Sequence, residues 1–243
     1  MPLSGTALAE DLERPFGPAE TLDYTCRYLG IPVGRGQIRV GTATPVNGQK
    51  VWPIVAFART DPLFVMYPIK DKFVTWWDPR TGLTVGNDLV ADEQGKRRRE
   101  RLRFERERNK AFVTRDNETG GREEATAEIA PGSQDILAAI FALRARPLKV
   151  GDHEEIPIHT GRSQLTLRAE VERKETLEVP AGTFAVVAIK VQTGFTGHFE
   201  DKRALRIFMT DDPRHVPVRI DAEFAIGSLT VDLVGYQKGI TDR

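Results

Sequence analysis

The stretch TDDPRHVPVRI, residues 210–220, places two adjacent carboxylates shortly before a histidine. Asp211 and Asp212 precede His215 by four and three residues, and a carboxylate that orients an imidazole is a common pairing in acid–base catalysis. The same letters also predict a turn, because an Asp side chain accepts nearby backbone N–H groups and Pro213 fixes φ. Alternating strand patterns run into both ends of the stretch. The pattern therefore favours a turn, and no catalytic residue is predicted.

Other signatures of metal or cofactor chemistry are absent from the sequence. The histidines His153, His159 and His198 have neither the paired spacing of a helical metal site nor cysteine partners. There is no nucleophile elbow and no phosphate-binding loop, and Gly34-Arg35-Gly36 lacks the third glycine of a dinucleotide fingerprint. We therefore predict no metal and no cofactor.

Aromatic side chains form the first candidate binding site. Phe64, Tyr67, Trp76 and Trp77 lie within fourteen residues, and adjacent tryptophans of a strand point to opposite faces. One of the two could be exposed and stack on a sugar ring or contact an acyl chain, whereas the alternative is that both are core. Together with Phe141 of a predicted helix, these are the candidate ligand-binding residues.

A basic run, KRRRERLRFERERNK, covers residues 96–110 and forms the second candidate site. It has nine Lys or Arg against three Glu, and Arg97, Arg99, Arg101 and Arg103 are the candidate contacts for a partner or an anion. A solvated hairpin strand that protects a sheet edge is favoured, with the two apolar residues of the run facing inward. Contact with anionic lipid headgroups or acidic glycans stays open.

Composition limits the classes of partner. The 243 residues hold 35 basic and 35 acidic side chains, so no overall field attracts nucleic acid, and none is predicted as a partner. The single Cys26 cannot form an internal disulfide, and its position on an apolar side predicts a buried thiol. No apolar run approaches the roughly 20 residues of a membrane-spanning helix, so no transmembrane segment is predicted and any membrane association is peripheral.

The N-terminus contains Ala7-Leu8-Ala9, a small-x-small pattern like that read by signal peptidases. Residues 1–15 are therefore interpreted as a flexible segment, either the remnant of a clipped export signal or an ordinary frayed terminus, and the leader itself is absent from this chain. Residues 16–238 are predicted to form one β-rich domain, followed by a tail over residues 239–243.

Period-two alternation dominates that domain and predicts strands. The predicted strands are 22–28, 51–58, 73–77, 83–90, 99–105, 111–115, 165–171, 184–191, 203–209 and 229–233. Helical spacing from Ser133 to Arg146 predicts one amphipathic helix that Ser133 can cap and Pro147 ends, and a short turn over 61–67 is a second candidate. The fold class is mainly β, a curved antiparallel sheet or partial barrel with one packed amphipathic helix.

Four segments in this order and spacing resemble a known family. They are PFGPAETLDYTCRYLGIPVGRGQIRV, SQDILAAIFALRARPLKVGD, EVPAGTFAVVAIKV and TDDPRHVPVRIDAEFAIGSLTVDL. Over residues 16–236 the chain resembles the bacterial exported family called domain of unknown function 3108. The resemblance implies a periplasmic or cell-envelope protein and a fold similar to the half-barrel of lipoprotein carriers, but it implies no activity.

The expected function is that of a noncatalytic bacterial envelope protein with an apolar concavity for a lipid, lipoprotein or glycan. Two alternatives stay open. One is an exported hydrolase or lyase acting on cell-envelope polymer, and the other is a structural scaffold of an envelope complex. Converging carboxylates and histidine would favour the enzyme, and a filled core with a flat patch would favour the scaffold.

Overall fold

Alternating apolar and polar residues form antiparallel strands through most of the chain. A computed structural model describes residues 15–62, 68–116, 120–195, 198–199, 205–223 and 227–240. The strands are β1 Thr21–Tyr28, β2 Ile31–Val40, β3 Thr44–Val46, β4 Gln49–Thr60, β5 Lys70–Asp78, β6 Leu83–Glu93, β7 Lys96–Glu105, β8 Lys110–Asp116, β9 Arg122–Glu128, β10 His153–His159, β11 Gln164–Val179, β12 Gly182–Phe195, β13 His198–Phe199, β14 Leu205–Thr210, β15 Pro217–Glu223 and β16 Ser228–Gln237. The helix α1 spans Ile136–Arg144, and a 3-10 turn spans Arg106–Arg108. The predicted mainly β class with one packed α-helix is therefore confirmed for the described residues.

The named strands pair antiparallel in a sheet that is not closed. Its order is β10-β11-β12-β14-β15-β16-β1-β2-β4-β5-β6-β7-β8-β9, with β13 beside β12 and β3 beside β4. The chain starts in the middle with β1, runs outward to the edge strand β9, and continues through α1 to the opposite edge, β10. Later strands return to the middle, where β16 pairs with β1. The helix therefore links the two free edges.

The two halves of the sheet meet through side chains. The turn after β10 lies against β7 and β8, where Arg115 donates to the carbonyl oxygen of Gly161 and, at 2.7 Å, to Glu100. Gly161 has φ +83°, and a Cβ atom there would lie 2.3 Å from the Glu100 carboxylate, so only glycine allows this approach without displacing that side chain. This contact joins the turn at one edge of the open sheet to strands β7 and β8 of the other half.

The helix α1 fills the concave side of the sheet. Phe141 is fully buried, and its ring packs edge-on against Phe16 at 4.7 Å between centroids. Phe16 also packs against Trp77, which is 4% exposed, and Leu143 belongs to a second buried cluster with β10, β11, β12 and β14. The apolar stripe of the helix therefore joins the cores of both halves of the sheet.

The helix begins later than Ser133. Asp135 is the N-cap residue, and its side chain accepts the N–H of Ala138 at 2.8 Å. The Ser133 hydroxyl instead donates to the carbonyl oxygen of Ala130. The expected cap at Ser133 was therefore wrong, although the last helical residue, Arg144, still precedes Pro147 as expected.

A buried ion pair ties the helix to the start of the domain. Arg144 and Glu20 are each 1% exposed, and two guanidinium nitrogens donate to the two carboxylate oxygens at 2.8 Å. Tyr236 donates to the same carboxylate at 3.2 Å, and Arg144 also donates to the carbonyl oxygens of Pro15 and Arg214. The pair therefore joins the helix end, the N-terminal segment and the last strand.

Candidate functional site

The stretch 210–220 forms a connecting turn between β14 and β15. The Asp212 carboxylate accepts the backbone N–H of Arg214 at 2.9 Å and its guanidinium at 2.6 Å, while Asp211 pairs with Lys174 at 2.8 Å. His215 has φ +43°, and its Nδ1 donates to the carbonyl oxygen of Arg144 at 2.9 Å. Each of the three candidate catalytic groups thus has its own structural partner, and they do not converge on a common point.

The candidate aromatic residues separate between the faces of the sheet. Trp76 is half-buried on the outer face and donates its indole N–H to Asp88 at 2.8 Å, whereas Trp77 is buried in the core. Phe141 lies on the buried side of the helix α1, so a ligand would reach it only if the helix moved. Phe64 and Tyr67 lie outside the described residues, as does most of the candidate turn over 61–67.

An open cavity of about 430 Å³ lies where the helix, the β5–β6 turn and the edge strand β10 come together. We call it the seam cleft. It is lined by Trp77, Thr81, Gly82, Leu83, Gly132, Gln134, Ala142, Ala145, Arg146, Glu155, Ile156 and Pro157. Trp77 and Ile156 are buried and supply an apolar wall, whereas Arg146 is exposed at the rim.

Hydrogen bonds hold the walls of the seam cleft in place. The buried Gln134 side chain accepts the N–H of Thr84 at 2.9 Å and donates to the carbonyl oxygen of Gly82 at 2.8 Å. Arg106 donates to the carbonyl oxygens of both Thr84 and Ser133. These bonds tie the segment before the helix to strand β6, so the cleft has a fixed shape.

The other wall of the seam cleft is the free edge of β10. Only one short parallel bridge covers this edge in the described chain, with the Gln134 N–H donating to Pro157 O at 2.8 Å and the His159 N–H donating to Gln134 O at 2.9 Å. Backbone groups of a strand alternate in direction, so those of Glu155 point to the same side as those of Pro157 and His159. Glu155 therefore directs its N–H and C=O toward the cleft.

Asp135 is a buried carboxyl behind the wall that contains Gln134. Its Oδ1 accepts the hydroxyl of Thr75 and the helix N–H, whereas Oδ2 and the nearby Arg106 Nε have no hydrogen-bond partner among the described residues. Burial raises the pKa of Asp135 to about 6, although these hydrogen bonds act in the opposite direction. The capping residue of the helix is therefore a group that titrates near neutral pH.

The basic run forms β7 and the 3-10 turn that follows. Leu102 is fully buried and Phe104 packs beside it in the same cluster, so the inward pair is as predicted. Arg97 pairs with Asp92, and Arg101 and Arg103 both pair with Asp88. The expected edge position is wrong, because β7 pairs with β6 and β8, and the edge strand is β9.

Two further properties concern metals and membranes. Within the described ranges, no group of three His, Cys, Asp or Glu side chains is placed to hold a metal ion. In the same residues, no helix is both long and apolar enough to cross a membrane.

The fold defines a class, an open antiparallel sheet of barrel-like shape with one helix across its seam. The chain matches the family model described as protein of unknown function DUF3108 over residues 23–234, and it belongs to that family. The beta-barrel-like protein of domain of unknown function DUF1849 from Brucella abortus has a similar fold, with a TM-score of 0.63 at 9% identity, covering 93% of this chain and 99% of its own.

Two other solved structures align over most of the chain at lower similarity. A candidate lipoprotein from Parabacteroides distasonis has a TM-score of 0.37 at 11% identity, covering 94% of this chain and 100% of its own. A candidate exported protein with a YmcC-like fold from Bacteroides fragilis has a TM-score of 0.34 at 11% identity, covering 92% and 99%. No curated protein matches the chain.

Proposed function

We propose that the protein is a noncatalytic bacterial envelope protein that holds an extended polypeptide segment of a partner, in the first instance a lipoprotein, in the seam cleft. The observation that carries the proposal is the free edge of β10, which forms one wall of the cleft. The envelope location rests on the export-like tripeptide Ala7-Leu8-Ala9 and on the resemblance to an exported family. We also propose that the open, barrel-like sheet is similar to the half-barrel of lipoprotein carriers.

A polypeptide fits the cleft better than an acyl chain. Among the described residues, buried side chains such as Phe141 and Leu143 fill the concave side of the sheet beneath the helix. The cleft instead combines apolar Trp77 and Ile156 with the unpaired backbone of Glu155. An extended segment that adds to a sheet edge gains main-chain hydrogen bonds, and neighbouring apolar side chains select its residues.

The hydrolase or lyase alternative lacks a comparable site. Asp211, Asp212 and His215 each bond to a different structural partner. The exposed charges around the cleft, Arg146 and Glu155, pair with Glu154 and Arg168, respectively, and give the cleft a polar rim.

A pair of variants at one position tests strand addition. Proline at an edge position whose N–H faces outward is compatible with the sheet, as Pro157 shows for the same side of β10. Glu155→Pro removes the outward N–H, whereas Glu155→Ala keeps it and removes only the side chain. We place the photo-crosslinking residue benzoylphenylalanine at Leu83, on the opposite wall, and irradiate cells of the native host.

The proposal predicts a covalent adduct with an envelope polypeptide. Glu155→Pro should abolish that adduct, and Glu155→Ala should keep it, at equal protein levels. Adducts with glycan or lipid alone, or equal crosslinking in both variants, would contradict strand addition at the cleft.

A further inference from the structure

Charge is distributed unevenly over the sheet although the chain total is zero. Residues directly opposite one another on antiparallel strands share a face, and the fully buried Ile54 and Leu102 mark the inner one. The outward basic side chains of β2 and of β4 to β8 are Arg35, Arg39, Arg59, Lys70, Lys72, Arg97, Arg99, Arg101, Arg103 and Lys110. The outward acidic ones are Asp88, Asp92, Glu105 and Asp116. We call this surface the outer basic face. Its ten basic and four acidic side chains give it a net charge of +6, so the rest of the chain carries −6.

Apolar side chains are interleaved with these charges. Phe57, Val90 and Phe112 are exposed by 40%, 44% and 43%. Cross-strand pairing places Phe57 next to Lys72, Lys72 next to Val90 and Val90 next to Arg99, so one row across four strands alternates apolar and cationic groups. The Lys72 ammonium lies 5.7 Å from the centre of the Phe57 ring. The face is therefore amphipathic as well as basic.

A shallow cavity of about 400 Å³ on this face contains one arginine, Arg99, that is in no direct ion pair among the described residues. Its lining includes the arginines Arg99, Arg101 and Arg122 and the carboxylates Asp88, Glu100 and Asp116, and Arg122 pairs with Asp116. Arg101 shares Asp88 with a neighbouring arginine, whereas the Arg99 guanidinium makes no ion pair or hydrogen bond within the described part of the chain. An anion could contact the Arg99 guanidinium without breaking a direct ion pair, although Asp116 lies opposite it on β8.

We propose that the outer basic face docks on the anionic headgroups of a lipid bilayer. Basic side chains near such a surface attract acidic lipids, and exposed apolar groups between them gain by entering the headgroup boundary. A nucleic acid or an acidic glycan would satisfy the charges but would offer no apolar phase for Phe57, Val90 and Phe112. The face shares no lining residue with the seam cleft, so this inference is independent of the proposed function.

Vesicle cosedimentation tests the proposal. The full chain is mixed at neutral pH with vesicles of equal parts phosphatidylglycerol and phosphatidylcholine, and with vesicles of phosphatidylcholine alone. Binding is expected only to the acidic vesicles, and it should weaken as salt is raised because exposed charges are screened. Each basic side chain near the surface contributes roughly fivefold in affinity, so K72Q/R99Q/R101Q should bind on the order of 100-fold more weakly.

Two controls keep the charge and apolar contributions separate. The variant K149Q/R162Q/K238Q removes the same charge from exposed positions elsewhere and should bind as the unaltered protein does. The variant F57S/F112S keeps every charge and should also weaken binding, because the apolar contact is lost. Urea unfolding of each variant confirms that it is folded.

Equal binding to both kinds of vesicle would overturn the proposal. So would equal loss in the two triple variants, or full binding by F57S/F112S. Tighter binding to DNA or to heparin than to acidic vesicles would also overturn it, in favour of a polymeric anion. The variant Glu155→Pro should leave vesicle binding unchanged, so failure at the face and failure at the cleft are distinguishable.

Discussion

Replacing Asp135 by Asn should change how stability depends on pH. The carboxyl is buried at the helix N-cap, and burial raises its pKa from 3.8 to about 6. Between these values the folded protein holds a proton that the unfolded chain releases. The contribution of Asp135 to stability is therefore fully present below pH 3.8 and is lost as pH rises through about 6.

The magnitude follows from the shift. A difference of about 2.2 pH units at 1.36 kcal/mol per unit is about 3 kcal/mol of stability lost between acid and neutral pH. The groups that face this carboxyl are the hydroxyls of Thr75 and Thr84 and the guanidinium of Arg106, which is also near Asp78. Asparagine retains an oxygen that can accept the N–H of the helix, and it does not titrate.

Urea unfolding at intervals from about pH 4 to about pH 7.5 measures the effect, because other titrating groups cancel in the difference between variant and unaltered protein. The free energy of unfolding of Asp135→Asn, relative to the unaltered protein, should rise by about 2 kcal/mol over this range, because the rest of the effect lies below about pH 4. Asp135→Ser also removes the titration, so its relative free energy should rise with pH in parallel. A difference that stays constant with pH, or that falls, would refute the reasoning.

Other predictions concern the buried ion pair, the turn and the thiol. Arg144→Met should lower the free energy of unfolding by about 3–5 kcal/mol, because Glu20 would be left buried and unpaired. The control Arg173→Met, at a surface ion pair, should cost less than about 1 kcal/mol. Similar urea midpoints for the two variants would contradict this prediction. Asp212→Ala should cost on the order of 1 kcal/mol by equilibrium unfolding, since its carboxylate caps the turn, and an unchanged stability would argue against that role. Cys26 is half-buried and not fully buried as expected from sequence. It should still react slowly with a thiol reagent near pH 8 until urea unfolds the chain, because partial burial raises the pKa of its thiol, and fast reaction in the folded state would contradict that shift.

Period-two alternation predicted most of the internal strands, but it missed the internal strands β2 and β15 as well as the two edges. The strand β9 reads REEATAE, with no large apolar residue, and β10 reads HEEIPIH, with a proline and three charged or titratable residues at its start. These are the features that protect an edge, and they remove the alternation that identifies a strand. Sequence patterns could therefore identify Trp77 as a candidate binding residue. They could not predict the seam cleft, because one of its walls is the unpredicted strand β10.

Charged residues were harder to interpret than apolar ones. Arg144 lies in the last turn of the helix, where a basic residue suits the negative end of the dipole, but the structure pairs it with Glu20, 124 residues earlier. No local spacing could indicate that partner. Proline is typical of sheet edges and bulges, but Pro53 lies in the internal strand β4, where the neighbouring strand changes from β2 to β3.

The central claim, a free β10 edge that receives a partner strand, is tested most directly by residue-specific amide exchange followed by NMR. In the isolated protein the amide of Glu155 should exchange quickly, whereas those of Glu154 and Ile156, which point toward β11, should be protected. Addition of the polypeptide segment identified by crosslinking should protect Glu155 and leave its two neighbours unchanged. A slow Glu155 amide in the isolated protein, or one that stays unprotected with the segment bound, would contradict the account.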